Sequence, residues 1–336
     1  MDRTIKIQYL DFWNIDKEQY IITKALREYF DVEIVNEGAD YVFCSCYGME
    51  HLYLPTRCIK IYYTPEYIVP DFNYFDYALG FDYIDFGDRY MRLPIYYGTV
   101  PQQKKTPLVD VKHILPNSFD LKKDKPKFCS FVVSNGNGSP LRQKMFNLLS
   151  MYKIVDSGGK YLNNIGGPCK DKLEFTKPYK FSICFENSSM PGYTTEKITE
   201  AFAARQVPIY WGDTRITEVF NSKAFINVAD FPSLEAVVEE VKRLDNDDDA
   251  YLAMLREPAW NADIHSIDVF QHKLALFLKH IVDQPLDKAQ RYDRTWYGPI
   301  VLNVQKHIVE QANRSLSQHF KDNLVGRFSW LRKFTF

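Results

Sequence analysis

One short polar segment of the sequence has the residue types of a binding site. It reads FENSSMPGYTTEK, from Phe185 to Lys197, and places two glutamates, an asparagine, a tyrosine and a lysine around a Pro-Gly turn. A short apolar run typical of a buried strand, KFSIC, precedes it, and a segment with helical apolar spacing, TEKITEAFAAR, follows it. VPIYWG then predicts another strand. We therefore expect the polar residues on a strand-to-helix loop of a β-α-β unit, where open parallel sheets bind ligands.

Two basic residues are placed where they can bind an anion. Lys197 lies in the first turn of the predicted helix after that loop, and Arg142 lies near the start of another, SPLRQKMFNLLSMY. Helix N-termini attract anions, and one cation at each would create a strong site for a diphosphate. Glu196 can accept hydrogen bonds from sugar hydroxyls, and Tyr193 can stack on a ring or donate a hydrogen bond. The alternatives are a surface charge for Arg142 and an ordinary polar connection for the loop.

A candidate general base lies in the first half of the chain. Glu66 belongs to YTPEY, inside an aromatic-rich stretch that runs from Ile61 to Tyr97. Partial desolvation by aromatic neighbours favours proton uptake by a carboxylate, as a general base requires. The alternative is that Glu66 ends a strand and faces water.

The composition excludes several classes of protein. The 336 residues are 46% apolar, which predicts two domains with sizeable cores, and a net charge of −1 argues against a nucleic-acid-binding surface. The six cysteines form no C-x-x-C pair, so reduced thiols are expected rather than a disulfide scaffold. Cys44, Cys46 and His51 are too few for a zinc site. The charged start, MDRTIKIQYLDFW, has no signal peptide or membrane span, so we expect a cytoplasmic protein.

Strand and helix patterns alternate through both halves of the chain, which predicts an α/β fold. We expect an N-terminal domain over residues 1–120, a second domain over 126–300 and a helical tail over 301–336, with a linker near 115–126. Because small-molecule sites favour domain interfaces, the polar loops predict a cleft between the two domains.

These segments resemble family 10 glycosyltransferases, the α-1,3/4-fucosyltransferases, and above all the bacterial members. FENSSMPGYTTEKITEAFAARQVPIYWGD is similar to the family hallmark, in which F-E-N, Y-x-T-E-K and P-[IV]-x-x-G recur at these spacings. VVSNGNGSPLRQKMF resembles the second motif, and residues 62–97 resemble the acceptor-side segment. The likeness covers roughly residues 60–260.

The resemblance implies the GT-B architecture, in which two Rossmann-like domains face a central cleft. The first domain would receive the acceptor, with Glu66 as the general base, and the second would hold GDP-fucose. Bacterial relatives often have Gly-Glu-Asn at the base, whereas this chain has Pro65, Glu66 and Tyr67. The residues that the resemblance assigns to the donor site are Asn135, Arg142, Asn187, Tyr193, Glu196 and Lys197.

The resemblance also implies a reaction. An inverting enzyme would move L-fucose from GDP-β-L-fucose to the GlcNAc 3-hydroxyl of Galβ1-4GlcNAc (N-acetyllactosamine-type) glycans, as in Lewis x antigens of lipopolysaccharide. An α-1,4 or dual specificity, or another nucleotide sugar, remains an alternative. No metal cofactor is expected, although a divalent cation can stimulate such a reaction. A carbohydrate-binding module without catalysis would share the aromatic residues but would not need Arg142 and Lys197.

The C-terminal tail predicts a basic amphipathic helix. Phe320, Leu324, Phe328 and Leu331 share one helical face, and basic side chains lie nearby. Such a helix can rest on the inner face of the cytoplasmic membrane or pack onto the body of the protein. The sequence leaves both open.

Overall fold

The computed structural model describes residues 3–54, 57–99, 115–261, 267–292, 296 and 298–329. Two parallel β-sheets, one in each half of the chain, form its framework. All pairings within both sheets are parallel. The predicted α/β fold with two Rossmann-like sheets is confirmed.

The first sheet has the order β2-β1-β3-β4-β5-β6. Its inner strands are short apolar runs, such as YVFC and IKIYY, in which every residue is buried. Burial on both faces is typical of a parallel sheet covered by helices. The strands are β1 (Thr4–Leu10), β2 (Asp31–Ile34), β3 (Tyr41–Cys44), β4 (Ile59–Tyr63), β5 (Tyr77–Gly80) and β6 (Tyr90–Arg92).

The second sheet has the order β11-β10-β9-β7-β8. Its central strand, YKFSICF, is buried throughout, as the apolar run before the polar loop predicts. The strands are β7 (Lys127–Phe131), β8 (Val155–Ser157), β9 (Tyr179–Phe185), β10 (Val207–Trp211) and β11 (Ile226–Asn227).

Helices connect the strands and cover the sheets. In the first half they are α1 (Ile21–Leu26) and α2 (Ile95–Thr99). In the second half they are α3 (Leu121–Asp124), α4 (Leu141–Ser150), α5 (Lys172–Thr176), α6 (Glu196–Ala203), α7 (Leu234–Asn246), α8 (Asp248–Arg256), α9 (Ile267–Asp283), α10 (Leu286–Ala289) and α11 (Gly298–Ser329).

Each sheet has one point where the strand order reverses. In the first sheet it lies between β1 and β3, and in the second it lies between β7 and β9. Loops diverge at such a point and leave a crevice at the carboxyl ends of the strands, which is where open α/β sheets bind ligands. The loop after β9 and the start of α4 after β7 both lie at the second crevice.

The chain returns to the first sheet after the second. Helix α9 packs against α1, and the Asp76 carboxylate accepts hydrogen bonds from the backbone N–H groups of Lys60 (2.8 Å) and Tyr292 (2.9 Å). Part of the segment predicted as the second domain therefore contacts the first, and the predicted domain ranges stay a prediction.

Two further details can be compared with the sequence. The pattern of DKEQYIITKALREYF predicts a helix over residues 16–30, but α1 is only six residues long, because the Asp16 carboxylate accepts the Gln19 N–H (3.2 Å) and holds a turn before it. All six cysteines are free. The side chains of the predicted amphipathic tail lie outside the described residues.

Candidate active site

The loop between β9 and α6 is organised by a buried carboxylate. Glu186, which directly follows β9, is 0% exposed and accepts the backbone N–H of Thr195 (2.7 Å). The Thr195 hydroxyl also bonds to Glu186 (2.8 Å), so it is not free to cap α6. A negative charge at a helix N-terminus is stabilised by the free N–H groups there. Glu186 thus holds Thr195, the residue before α6, through both its backbone N–H and its hydroxyl.

Glu186 also binds Lys197, the second residue of α6. Its carboxylate is 2.8 Å from the Lys197 ammonium, which in addition donates to the Thr195 hydroxyl (2.8 Å). Although burial by itself lowers the pKa of Lys197, the carboxylates of Glu186 and Glu196 outweigh it and raise the pKa of this ammonium. Lys197 is therefore charged and fixed in position, but it is a paired cation rather than a free one.

Arg142 differs from Lys197 because it has no counter-ion in the described part of the chain. The residue is the second of α4 and is 1% exposed, and neither Nη1 nor Nη2 has a hydrogen-bond partner among the residues that the structure describes. Burial lowers the pKa of its guanidinium. A buried guanidinium without an acceptor is costly, and its planar donor set fits phosphate oxygens. This group is the clearest sign that an anion belongs at the site.

The backbone around Arg142 is shaped to hold the guanidinium. A Cβ atom on Gly138 would lie 1.2 Å from Nη2 of Arg142, so a side chain at that position would have to displace the guanidinium. The Ser139 N–H donates to the Asn187 carbonyl (2.8 Å) and joins the loop after β7 to the loop after β9. The exposed Asn135 accepts the Asn137 N–H (2.9 Å) and forms a turn in the same loop. A direct ligand contact by Asn135 or Asn187 stays a prediction.

The structure brings Arg142, Glu186, Tyr193, Glu196 and Lys197 together. Arg142 is close enough to Lys197 to oppose its protonation electrostatically, and the charges of Glu186, Glu196 and Arg142 all act on the Tyr193 hydroxyl. Burial of Glu196 raises its pKa, but Lys197 and Lys172 outweigh this and hold the pKa of that carboxyl below its usual range. The site at the second crevice thus combines two cations with two carboxylates.

Tyr193 is a packing residue in this arrangement. Its ring is 1% exposed and lies edge-on to the rings of Tyr67 (5.1 Å) and Phe81 (5.3 Å), both from the first half of the chain. The ring therefore joins the two halves, and the predicted ligand contact by Tyr193 stays a prediction. The loop can approach the first half this closely because Gly192, which has φ +85° and no side chain, lies directly against the Phe81 carbonyl.

Glu66 lies on the first half of the chain and faces this loop. It follows β4, is half-buried, and accepts a hydrogen bond from the Tyr47 hydroxyl (2.8 Å). Its charge acts on Tyr193 across the cleft. Tyr47 and Tyr67, which flank it, are 46% and 42% exposed. Glu66 is thus a fixed carboxylate on an exposed aromatic surface opposite the two cations, and its role as a base stays a prediction.

The sequence did not single out three residues that shape the site. Glu186 holds Lys197, Gly138 makes room for Arg142, and the buried Asp213 accepts the Gly192 N–H (2.7 Å) and the Thr194 hydroxyl (2.8 Å). Glu186 and Asp213 belong to the F-E-N and W-G-D parts of the hallmark segment, and Gly138 belongs to N-G-N-G-S. These motifs could have pointed to the three residues, but the sequence does not show which other residues they contact.

Two kinds of feature are absent from the described residues. Within them, no three His, Cys, Asp or Glu side chains are grouped so as to hold a metal ion. Among the helices in the same ranges, none combines the length and the apolarity that a membrane span requires.

Comparison with known proteins identifies the family. Residues 7–98 match the family model of the alpha-(1,3)-fucosyltransferase FucT N-terminal domain, and residues 122–284 match that of the glycosyltransferase family 10 (fucosyltransferase) C-terminal region. The chain is 36% identical over 278 residues to alpha-(1,3)-fucosyltransferase FucT of Helicobacter pylori. That alignment covers 74% of this chain and 58% of the relative, so the chain spans little more than half of the relative's length.

Solved structures agree with this result. A crystal structure of an alpha1,3-fucosyltransferase superposes with a TM-score of 0.74 at 30% identity, over 88% of this chain and 93% of that one. A crystal structure of an alpha1,3-fucosyltransferase with GDP-fucose superposes with a TM-score of 0.68 at 29% identity, over 84% of this chain and 92% of that one. The fold is therefore of the GT-B type, as predicted, and the chain belongs to glycosyltransferase family 10, the fucosyltransferases.

Proposed function

We propose that this chain is an inverting α-1,3-fucosyltransferase. It moves L-fucose from GDP-β-L-fucose to the GlcNAc 3-hydroxyl of Galβ1-4GlcNAc-type acceptors. The observation that carries the proposal is the buried, unpartnered guanidinium of Arg142 beside Lys197 at the second crevice, opposite Glu66. A diphosphate would supply the acceptor oxygens that Arg142 lacks. The similar alpha1,3-fucosyltransferase solved with GDP-fucose supports the same donor.

The proposed chemistry is a single displacement. The acceptor hydroxyl oxygen attacks C1 of fucose while the bond from C1 to the β-phosphate oxygen breaks, and GDP leaves with the electron pair. The Glu66 carboxylate takes the proton of the attacking hydroxyl. Arg142 and Lys197 stabilise the charge that develops on the diphosphate, so the proposal requires no metal ion. Attack from the face opposite to GDP converts the β-linked donor into an α-linked product.

Lys197 acts differently from Arg142 in this scheme. Glu186 already compensates the charge of Lys197, so binding of the diphosphate changes the environment of Lys197 less than that of Arg142. We assign it mainly to orientation, because its ammonium is fixed by Glu186 and Thr195 before any ligand arrives. Arg142 gains its first strong acceptors on binding, so it contributes more to affinity.

The donor assignment is tested by calorimetry with GDP on Arg142→Met. We expect the Kd for GDP to rise about 10- to 100-fold, since charged hydrogen bonds contribute about 1.5–3 kcal/mol. The melting temperature without GDP should be unchanged or higher, because the variant removes a buried charge that has no partner. Arg243→Met, on the exposed face of α7, is the matched control and should leave the Kd unchanged.

The GDP affinity and the melting temperature of Arg142→Met together separate a role of Arg142 in binding from a role in stability. If Arg142→Met lowers stability and leaves the GDP affinity intact, the guanidinium serves the fold and the donor site lies elsewhere. UDP is the control ligand for the nucleotide. Equal affinity for UDP and GDP would favour a transferase that uses a different nucleotide sugar.

The base assignment is tested by steady-state kinetics on Glu66→Gln. We expect kcat to fall at least about 100-fold, in the range typical for loss of a general base, while GDP affinity stays the same. Tyr47→Phe removes only the hydrogen bond to Glu66 and should have a much smaller effect. Near-normal turnover by Glu66→Gln would exclude it as the base. NMR of the product decides between α-1,3 and α-1,4 linkage.

We propose, on the sequence pattern alone, that residues 320–336 contact the membrane surface and place the protein at the inner face of the cytoplasmic membrane. The basic residues of this segment favour anionic lipids. Cosedimentation with anionic and neutral vesicles, with and without residues 320–336, tests this. Equal binding by the two forms would favour a tail packed onto the body.

A further inference from the structure

The first sheet has a pocket between the segments that follow β3 and β4. The pocket encloses about 210 Å³, below the range of about 300–1,000 Å³ that is typical for drug-sized ligands. It is therefore of a size for one small ring rather than an extended chain. Its walls are mainly apolar, with side chains from the loop after β3 and from the segment after Glu66: Met49, Leu52, Ile68, Val69 and Phe75.

The pocket and Glu66 are held by the same two loops. Cys46, which lines the pocket, has its Sγ atom 3.0 Å from the Thr64 hydroxyl, and that hydroxyl accepts the Glu66 N–H (3.1 Å). Tyr47, the next residue, donates to the Glu66 carboxylate. A molecule that presents a hydroxyl to Glu66 can therefore extend into this pocket.

Two polar side chains of the pocket have unused hydrogen-bonding capacity. The Ser45 hydroxyl is 0% exposed and, apart from the weakly hydrogen-bonding Cys46 thiol, has no partner among the described residues. His51, which is also buried, bonds through Nδ1 to the Asp11 carboxylate (2.6 Å), and in the described ranges its Nε2 atom makes no hydrogen bond. Buried polar groups of native proteins are normally satisfied, so these two indicate a ligand with hydroxyl groups.

The rim of the pocket is an exposed apolar patch. Tyr47, Met49, Tyr67, Ile68 and Val69 are each between 42% and 47% exposed. A contiguous exposed apolar patch on a folded domain marks an interaction surface. A pyranose ring has an apolar face of C–H groups and a rim of hydroxyls, so it matches both this patch and the two unused polar groups.

We propose that this pocket binds the pyranose of the acceptor that does not receive fucose, with Ser45 and His51 as its hydrogen-bonding groups. The proposal rests on the proposed function, because that function provides an acceptor of at least two sugars. Ser45 and His51 would then be specificity residues for the neighbouring sugar, distinct from Glu66, which acts on the reacting one.

The test uses two variants of the full chain. Val69→Trp fills the pocket from its rim, and Ser45→Ala removes only the unpartnered hydroxyl. The KM for Galβ1-4GlcNAc should rise at least tenfold in Val69→Trp and about three- to tenfold in Ser45→Ala. The KM for free GlcNAc and the Kd for GDP should stay within twofold. Val269→Trp, on the exposed face of α9, is the matched control.

A stability measurement separates a binding role of Ser45 from a structural one. Because its hydroxyl has no strong partner, Ser45→Ala should keep or raise the melting temperature. Weaker use of the disaccharide together with unchanged stability supports the proposal. An unchanged KM for the disaccharide in both variants, or an equal change for disaccharide and monosaccharide, overturns it.

A direct titration keeps this proposal separate from the proposed function. Methyl β-galactoside is titrated into wild type and Val69→Trp and followed by ligand-observed NMR, which needs no turnover. Binding to wild type that is lost in Val69→Trp supports the pocket even if no fucose is transferred, in which case only the proposed function fails. Transfer of fucose together with galactoside binding that is absent, or equal in both proteins, overturns the pocket and leaves the proposed function standing.

Discussion

At the scale of single residues, the proposed donor site depends on the contact between Gly138 and Arg142. The guanidinium occupies the space that a side chain at position 138 would need. Gly138→Ala must therefore displace the guanidinium or the loop after β7. We expect the Kd for GDP to rise at least about tenfold, which corresponds to about 1.4 kcal/mol.

A double-mutant cycle provides the control for this prediction. Because the clash is with Nη2, Gly138→Ala should have little further effect once Arg142 is replaced by Met. The measurement is calorimetry with GDP on the two single variants and the double variant. Additive losses in affinity would mean that Gly138 acts through the loop and not through Arg142.

The sequence could predict the residues that project from regular elements. Arg142 and Lys197 were found because cap signals and apolar spacing fix where α4 and α6 begin. The pairing of Lys197 with Glu186 could not be predicted, since the geometry of the loop between them decides it. The burial of Tyr193 depends on Tyr67 and Phe81, which lie more than a hundred positions earlier in the chain.

At the scale of elements, one buried lysine connects the ends of two helices. The Lys125 Nζ atom donates to the carbonyls of Lys177 (2.5 Å), after α5, and Ala204 (2.7 Å), after α6. Carbonyls at a helix C-terminus have no partner within the helix, so this side chain satisfies one on each. Helix α6 carries Lys197 at its N-terminal end. By binding the C-terminal end of α6, Lys125 helps to fix the helix that positions Lys197 in the proposed donor site.

This lysine predicts a pH-dependent stability. Burial lowers the pKa of Lys125 to about 7, and the neutral amine keeps two N–H donors for its two carbonyl acceptors. Between pH 7 and about 10 the unfolded chain holds the proton and the folded chain does not, so this group stabilises the fold more as pH rises. The destabilisation by Lys125→Met should grow by about 1.5 kcal/mol from pH 7 to 8.5.

Urea unfolding at the two pH values measures this effect. Lys122→Met, an exposed position on the same short helix, is the control and should show no growth. A difference between wild type and Lys125→Met that stays constant with pH would mean that Lys125 keeps its charge inside the protein.

Some strands and helices could be predicted from the sequence more accurately than others. The strands β9 and β10 could be predicted because central parallel strands are short, continuous apolar runs between turns, whereas the aromatic-rich stretch from Ile61 to Tyr97 gave no separate prediction of β5 and β6. Helix α1 was predicted too long, since the turn at Asp16 competes with the first helical turn. The packing of α9 on α1 could not be inferred, because helical spacing shows that a face is apolar but not which sheet covers it.

At the scale of the whole molecule, the proposed transfer requires that the two halves keep a fixed distance. Tyr96 packs against Phe220 (5.6 Å) and Trp260 (5.7 Å), so the core continues from the first half into the second. At the cleft the contacts between the halves include those of Tyr193 and Gly192 with Tyr67 and Phe81. We expect these contacts to set how far Glu66 lies from the cations.

Gly192→Ala tests whether that contact sets the catalytic geometry. A Cβ atom there would lie 2.4 Å from the Phe81 carbonyl oxygen, so the loop must move away from the first half. Because displacements of about 1 Å can cost about 100-fold in rate, we expect kcat to fall at least tenfold. The Kd for GDP should stay within about threefold, since Arg142 lies on a different loop and Lys197 is held by Glu186.

A second glycine separates this effect from backbone strain. Gly166 has the same φ of +85° as Gly192 but no atom within 4 Å of its Cβ position. Both substitutions place alanine in a strained conformation and should lower stability by about 1–2 kcal/mol. Only Gly192→Ala should lower kcat, because only that side chain pushes the two halves apart. If Gly166→Ala loses as much kcat, lost stability alone accounts for the rate, and the contact at Phe81 does not position Glu66 against the donor.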